Sequence, residues 1–123
     1  MNYDRLTVKA QGVLQDAVAL VHRAESPTLD VEHLLLSMVN QEDGVIPPLL
    51  SRIGVRSEDL TSRLQDEIGR KPKMGGSAAQ PQLSPAVSRL FVKAEDEAKE
   101  LGDEYISTEH LLLAMLRAGS GAD

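Results

Sequence analysis

The chain has 123 residues, one domain's worth of material, with 13 basic and 19 acidic side chains and a net charge of −6. It has no Cys and no Trp, one Phe and two Tyr, which excludes disulfides, thiol nucleophiles and cysteine-type zinc sites, while Leu (18) and Ala (12) favour helices over strands. The longest apolar run, Leu111 to Leu116, is far below the roughly 18 residues of a membrane span, and the one basic cluster, Arg70-Lys71-Pro72-Lys73, is too small a footprint for nucleic acid.

Thr7 is placed to cap a first helix that runs to about Glu25, with Ala10, Val13, Leu14, Ala17, Val21 and Ala24 at the spacings of one helical face. Pro27 closes that region. Asp30 caps a second helix over Val31 to Asn40 that ends near Gly44. Pro47 and Pro48 suit the first turn of a short third helix, stopped at Gly54. Ser57 is expected to cap a fourth, to about Ile68, with Leu60, Leu64 and Ile68 on one side. The stretch Arg70 to Gln82 carries Pro72, Gly75, Gly76, Ser77 and Pro81 and reads as a linker. Ser84-Pro85 is a cap followed by proline at the first helical position, and this fifth helix ends at Leu101-Gly102. Ser107 caps a sixth, Thr108 to Ala118. The expectation is an all-α fold of six helices with no sheet.

The chain also matches itself. At an offset of 77 residues, Leu6 falls on Leu83, Thr7 on Ser84, Ala17 on Ala94, Leu29 on Ile106, the block Glu32 to Met38 on Glu109 to Met115, and Gly44 on Gly121. Over residues 6–40 there are 8 identities in 35 ungapped positions, six of them in that one block. This predicts a single domain, 1–123, made of a repeat over 4–69, a linker over 70–82 and a second repeat over 83–123, related by an approximate twofold. The second repeat stops opposite residue 46, so equivalents of residues 47–69, 23 positions, are expected to be missing from it. Some of Leu112, Leu113, Met115 and Leu116 should then be less buried than Leu35, Leu36, Met38 and Val39, unless a neighbouring chain covers them.

No constellation for catalysis stands out. His33 and His110 each follow a Glu, but zinc helices place ligands at i and i+4, and those positions are Ser37 and Ala114. Both His read as first-turn packing residues, and neither a metal site nor a catalytic site is expected. Glu32 and Glu109 fall in first helical turns, where a carboxylate favours the positive end of the helix dipole. They also lie near the hydroxyl caps Thr7 and Ser84, as two quasi-symmetric acidic rims suited to a basic or polar partner segment. No phosphate-binding loop occurs, since Gly75-Gly76-Ser77 lacks its lysine.

Asp4-Arg5-Leu6-Thr7, Gln82-Leu83-Ser84-Pro85, Gly102-Asp103-Glu104-Tyr105-Ile106-Ser107 and the duplicated Glu-His-Leu-Leu-Leu block resemble the N-terminal domain of Clp-type AAA+ ATPases over residues 3–118. The Asp-Arg-Leu-Thr start and glycine-rich linker are most similar to ClpB-type disaggregases. The resemblance implies an all-helical pair of pseudo-twofold repeats attached to ATPase rings that this chain lacks. ATP and magnesium would belong to that parent, as would a hexamer and a cytoplasmic stress response; this stretch would hold no cofactor. Its implied role is to receive unfolded or aggregated polypeptide in a shallow groove, with Thr7, Ser84, Asp103 and Glu109 as polar groove residues and Phe91 as an apolar wall. Lys93 and His110 stand where some relatives have apolar groove residues. The alternative it implies is docking of an adaptor or of phosphoarginine, with Thr7 and Glu32 serving in one half and Ser84 and Glu109 in the other. A structural module packing on its own ring, and a small hydrolase, remain as further readings. Nucleic acid and membrane are not expected partners.

Overall fold

The computed structural model describes residues 3–73 and 81–119. The linker glycines Gly75 and Gly76, and Gly121 with its match to Gly44, lie outside the described residues. A 3-10 turn, Tyr3–Arg5, leads into six helices: α1 (Val8–Arg23), α2 (Val31–Asn40), α3 (Ile46–Arg52), α4 (Ser57–Arg70), α5 (Pro85–Glu100) and α6 (Thr108–Gly119). The caps behave as their chemistry requires: the Thr7 hydroxyl accepts from the Ala10 N–H at 3.2 Å and the Ser84 hydroxyl from the Val87 N–H at 3.1 Å. Ser57 differs. It is the first residue of α4, the cap position is Arg56, and no side chain closes that end.

Each repeat packs its long helix against its middle helix around the same positions. Ala10, Val13, Ala17 and Val21 on α1 are buried, and so are their counterparts Val87, Leu90, Ala94 and Ala98 on α5. Leu34 on α2 and Leu111 on α6 are buried likewise, and all of these join one core shared by both halves. The turn after each long helix is repeated as well. Glu25 (φ 54°) and Gly102 (φ 75°) occupy the left-handed region at equivalent places, where glycine is the less strained choice.

The expectation of no sheet is corrected. Two short strands, β1 (Thr28–Leu29) and β2 (Gln82–Leu83), pair in parallel, with Leu29 opposite Leu83. An isolated parallel bridge joins Leu6 to Ile106. These are the same pairing seen twice, because Leu6 and Leu83 are one repeat position and Leu29 and Ile106 another. The segment entering the long helix of each repeat therefore pairs with the segment entering the middle helix of the other. The Ser84 N–H donates to the Leu29 carbonyl at 2.9 Å, and the Thr7 N–H to the Ile106 carbonyl at 3.0 Å. The backbone polar groups of these buried entries need partners, and the other repeat supplies them.

The expected difference in cover between the middle helices is present. Leu36, Met38 and Val39 are buried, with Leu64 and Ile68 of α4 closing over Leu36. Their counterparts Leu113 and Met115 are half-buried, and Leu116 is 57% exposed.

Candidate functional site

A cleft of about 230 Å³ opens where α5 meets the crossed entries, with Leu83, Phe91, Val92 and Ile106 as its apolar lining. Arg5 and Glu95 form its charged edge and Ser88 a polar spot. The guanidinium of Arg5 lies 3.6 Å from the Glu95 carboxylate and also donates to the Glu104 carbonyl at 3.3 Å. The edge is thus internally neutralised. On α1, at positions equivalent to Ser88 and Val92, Gln11 and Gln15 instead bond to Leu6 and Tyr3, the latter through the Tyr3 hydroxyl at 2.7 Å. The Tyr3–Arg5 turn and these amides occupy the side that stays open on α5.

Phe91 lines the cleft but is only 4% exposed and belongs to the core, whereas Val92 is 60% exposed. Phe91 therefore anchors the wall, and Val92 is the apolar side chain a ligand reaches first. The lining does not include Thr7, Ser84, Asp103 or Glu109. Thr7 adjoins the cleft through its bond to Ile106, and Ser84 follows Leu83. Glu109 is exposed in the first turn of α6.

Asp103 has a local task of its own. Its carboxylate bonds Nε2 of His110 at 2.9 Å, and the Ser107 N–H donates to Nδ1 of that ring at 2.8 Å. Ser26 and His33 repeat the arrangement, with Ser26 Oγ 3.2 Å from Nε2 and the Asp30 N–H donating to Nδ1 at 2.9 Å. Because Nδ1 accepts from backbone in both rings, the ring proton is assigned to Nε2. Each His thus closes the first turn of its helix, which gives the first-turn reading of His33 and His110 a specific bonding role.

Around Asp30 the two repeats are joined by charge. Asp30 Oδ1 accepts from the Val31 N–H at 2.8 Å and from the Ser84 hydroxyl at 3.1 Å. Lys71, just past α4, brings its ammonium to 3.3 Å from Asp30 Oδ2 and 3.2 Å from Glu32 Oε2. Partial burial alone raises the Asp30 carboxyl, but the Val31 N–H, Lys71 and the Ser84 hydroxyl outweigh it and hold the pKa below its ordinary value. Burial lowers the pKa of His33, and Lys71 adds to that against the opposing pull of Asp30 and Glu32. For Lys71, burial acts downward but the carboxylates of Glu32 and Asp30 prevail and raise it.

Ser84 of the second repeat sits with Asp30 and Glu32 of the first, and Thr7 of the first bonds into the segment leading to Glu109. Among the described residues, no group of three His, Asp or Glu side chains is placed to hold a metal ion, and no helix is long and apolar enough to cross a membrane.

Residues 5–122 match the family described as the Clp repeat (R) N-terminal domain. The chain belongs to that family. The ClpB chaperone protein of Bdellovibrio bacteriovorus is 38% identical over 114 residues, which is 93% of this chain and 13% of that relative. The Hsp104 N-terminal domain from Candida albicans shares the fold with a TM-score of 0.81 at 19% identity, over 90% of this chain and 73% of that one. A ClpV N-domain solved in complex with a VipB peptide does so at 0.78 and 17%, over 94% and 69%. This Clp N-domain thus spans a small part of the length of its chaperone relative.

Sequence reasoning picked out Phe91 but not Arg5, Leu83, Val92, Glu95 or Ile106. The 77-residue offset already held a signal for the last, since it placed Ile106 on the apolar Leu29 at a loop position. Lys71 was visible only as part of a basic cluster in the linker.

Proposed function

We propose that this Clp N-domain is the polypeptide-capturing module of a cytoplasmic, ATP-driven disaggregase of the ClpB type. Extended apolar segments of unfolded or aggregated protein enter the α5 cleft and rest on Leu83, Val92 and Ile106, with Phe91 as the wall behind them. Thr7, Ser84, Asp103 and Glu109 supply the polar surroundings, and the negative charge of Asp103 and Glu109 favours segments that carry basic residues. The module performs no chemistry of its own. ATP and magnesium act in the ATPase rings of the parent hexamer. The observation that carries this reading is an open apolar cleft with an exposed Val92 and a self-neutralised edge. Docking of an adaptor at the same cleft is the second reading, supported by the ClpV relative whose N-domain was solved with a peptide.

A shallow cleft of this size buries far less than the roughly 1,200 Å² of a stable interface, so one domain binds weakly and six acting on one aggregate gain by multivalency. Replacing Val92 by Asp is the test. Burying one Val is worth about 1.5–3 kcal/mol, so the variant should bind a fluorescently labelled, permanently unfolded polypeptide about ten- to a hundredfold more weakly with its helical circular dichroism unchanged. Equal binding by Val92→Asp would show that capture takes place elsewhere.

A further inference from the structure

A second cleft, of about 300 Å³, lies between α1, α2 and α4 and shares no residue with the first. Leu20, Ala24, Leu36 and Ile68 line its floor, and Arg23 and Lys73 stand at its edge. Gly69, in the last turn of α4, also lines it, and a Cβ built there would meet nothing within 4 Å. Glycine is among the poorest helix formers, yet it occupies a position where any longer side chain would intrude on this space.

The charges differ from those of the first cleft. Arg5 there is paired with Glu95, whereas Arg23 and Lys73 hold no ion pair or hydrogen bond among the described residues. In a chain of net charge −6, two uncompensated cations flanking an aliphatic floor are a local inversion of sign. A cation in the last turn of a helix suits the dipole, which alone is a reason for Arg23. The repeat shows that the position does not require one: the counterparts of Leu20 and Arg23 at the end of α5 are Glu97 and Glu100. Basic character belongs to this cleft and not to the repeat.

We propose that this cleft is a second docking site, for a polypeptide segment in which aliphatic side chains alternate with carboxylates. The aliphatic groups rest on Leu20, Leu36 and Ile68 above Gly69, and the carboxylates face Arg23 and Lys73. The site is separate from the α5 cleft and selects the opposite charge from that preferred around Asp103 and Glu109.

The probe is a fluorescein-labelled decapeptide of alternating Leu and Glu, compared with its Leu and Lys counterpart by anisotropy on the 123-residue chain. The acidic peptide should bind saturably and at least tenfold tighter than the lysine peptide. The double variant Arg23→Glu, Lys73→Glu should reverse that order. Gly69→Leu, which fills the space with a better helix former, should abolish binding without lowering the melting temperature, and Val92→Asp should leave it unchanged. The proposal is overturned by equal affinity for both peptides, by no saturable binding, or by binding that Val92→Asp removes and Gly69→Leu does not. Loss at Val92 with unfolded polypeptide but not with the acidic peptide separates this site from the first.

Discussion

Replacing Asp30 by Ala removes three partners at once from the junction of the repeats. The carboxylate caps α2 at the Val31 N–H, accepts the Ser84 hydroxyl of the second repeat and shares Lys71 with Glu32. Loss of a helix cap costs about 1 kcal/mol. Stranding the nearly buried Ser84 hydroxyl, whose acceptor is charged, adds about 1.5 kcal/mol. Lys71 keeps Glu32 and is partly solvated, so its share is only about 0.5 kcal/mol. The total is about 3 kcal/mol, a large part of the roughly 5–15 kcal/mol that holds a domain together. At about 2.1 cal/mol/K of unfolding entropy per residue, that lowers the melting temperature by about 12 °C. The control is built into the duplication: Ser107 caps α6 through the His110 N–H and has no Asp30-like link across the repeats among the described residues, so Ser107→Ala should cost about 1 kcal/mol. Urea denaturation at pH 7 followed by helical circular dichroism measures both. The losses from Asp30→Ala and Ser84→Ala should fall short of additivity by at least about 0.5 kcal/mol, since they remove one shared bond. If Asp30→Ala is no worse than Ser107→Ala, Asp30 is a helix cap and nothing more. The pH dependence has a definite sign: the folded pKa of Asp30 is depressed, so its contribution is complete above an unfolded pKa of about 3.9 and is lost as pH falls through the lower folded value.

His33 is also depressed, but as a base: its contribution is complete above an unfolded pKa of about 6.5 and is lost as pH falls toward the folded value. NMR titration of the His33 ring should therefore give a midpoint below that of the urea-unfolded chain, and equal midpoints would refute the burial argument. Leu36→Ala should cost about 2–5 kcal/mol because Leu64 and Ile68 close over it, while Leu113→Ala at the equivalent, half-buried position should cost clearly less by chemical denaturation. Equal losses would mean that α4 adds no cover. Leu116 with half-buried Leu112, Leu113 and Met115 forms an apolar face that should drive self-association at high concentration, and Leu116→Lys should restore a monomer by light scattering. A wild-type chain that stays monomeric near 1 mM would remove that reading.

The helices were legible because their signals are local. Thr7, Asp30 and Ser84-Pro85 act on N–H groups within three residues, so the starts of α1, α2 and α5 fall where the side chains require. Ser57 misled because a hydroxyl beside Glu58 and Asp59 looks like a cap, whereas Arg56 takes that place without a side-chain capping bond. The strands left no trace: a two-residue pairing is too short for alternation to show, and its partners are far apart in sequence. The same limit applies to the sites. Phe91 was found by resemblance, but Val92 and Ile106 meet only through the crossed entries, and Asp30, Ser84 and Lys71 meet only once the end of α4 lies beside the start of α2.

That crossing decides how the chain must fold. Six helices with mostly local contacts belong to the class that folds fastest, since little chain entropy is lost before contacts form. Leu29–Leu83 and Leu6–Ile106, however, close loops of 54 and 100 residues, and neither repeat has its entry strand satisfied until the other is in place. A single repeat released from its neighbour leaves the Arg5 carbonyl, the Thr7 N–H and the Leu29 carbonyl without their backbone partners, as an open edge ready to pair with the same edge of another molecule. The cooperative unit of this protein is the pair of repeats, although the sequence is written as two.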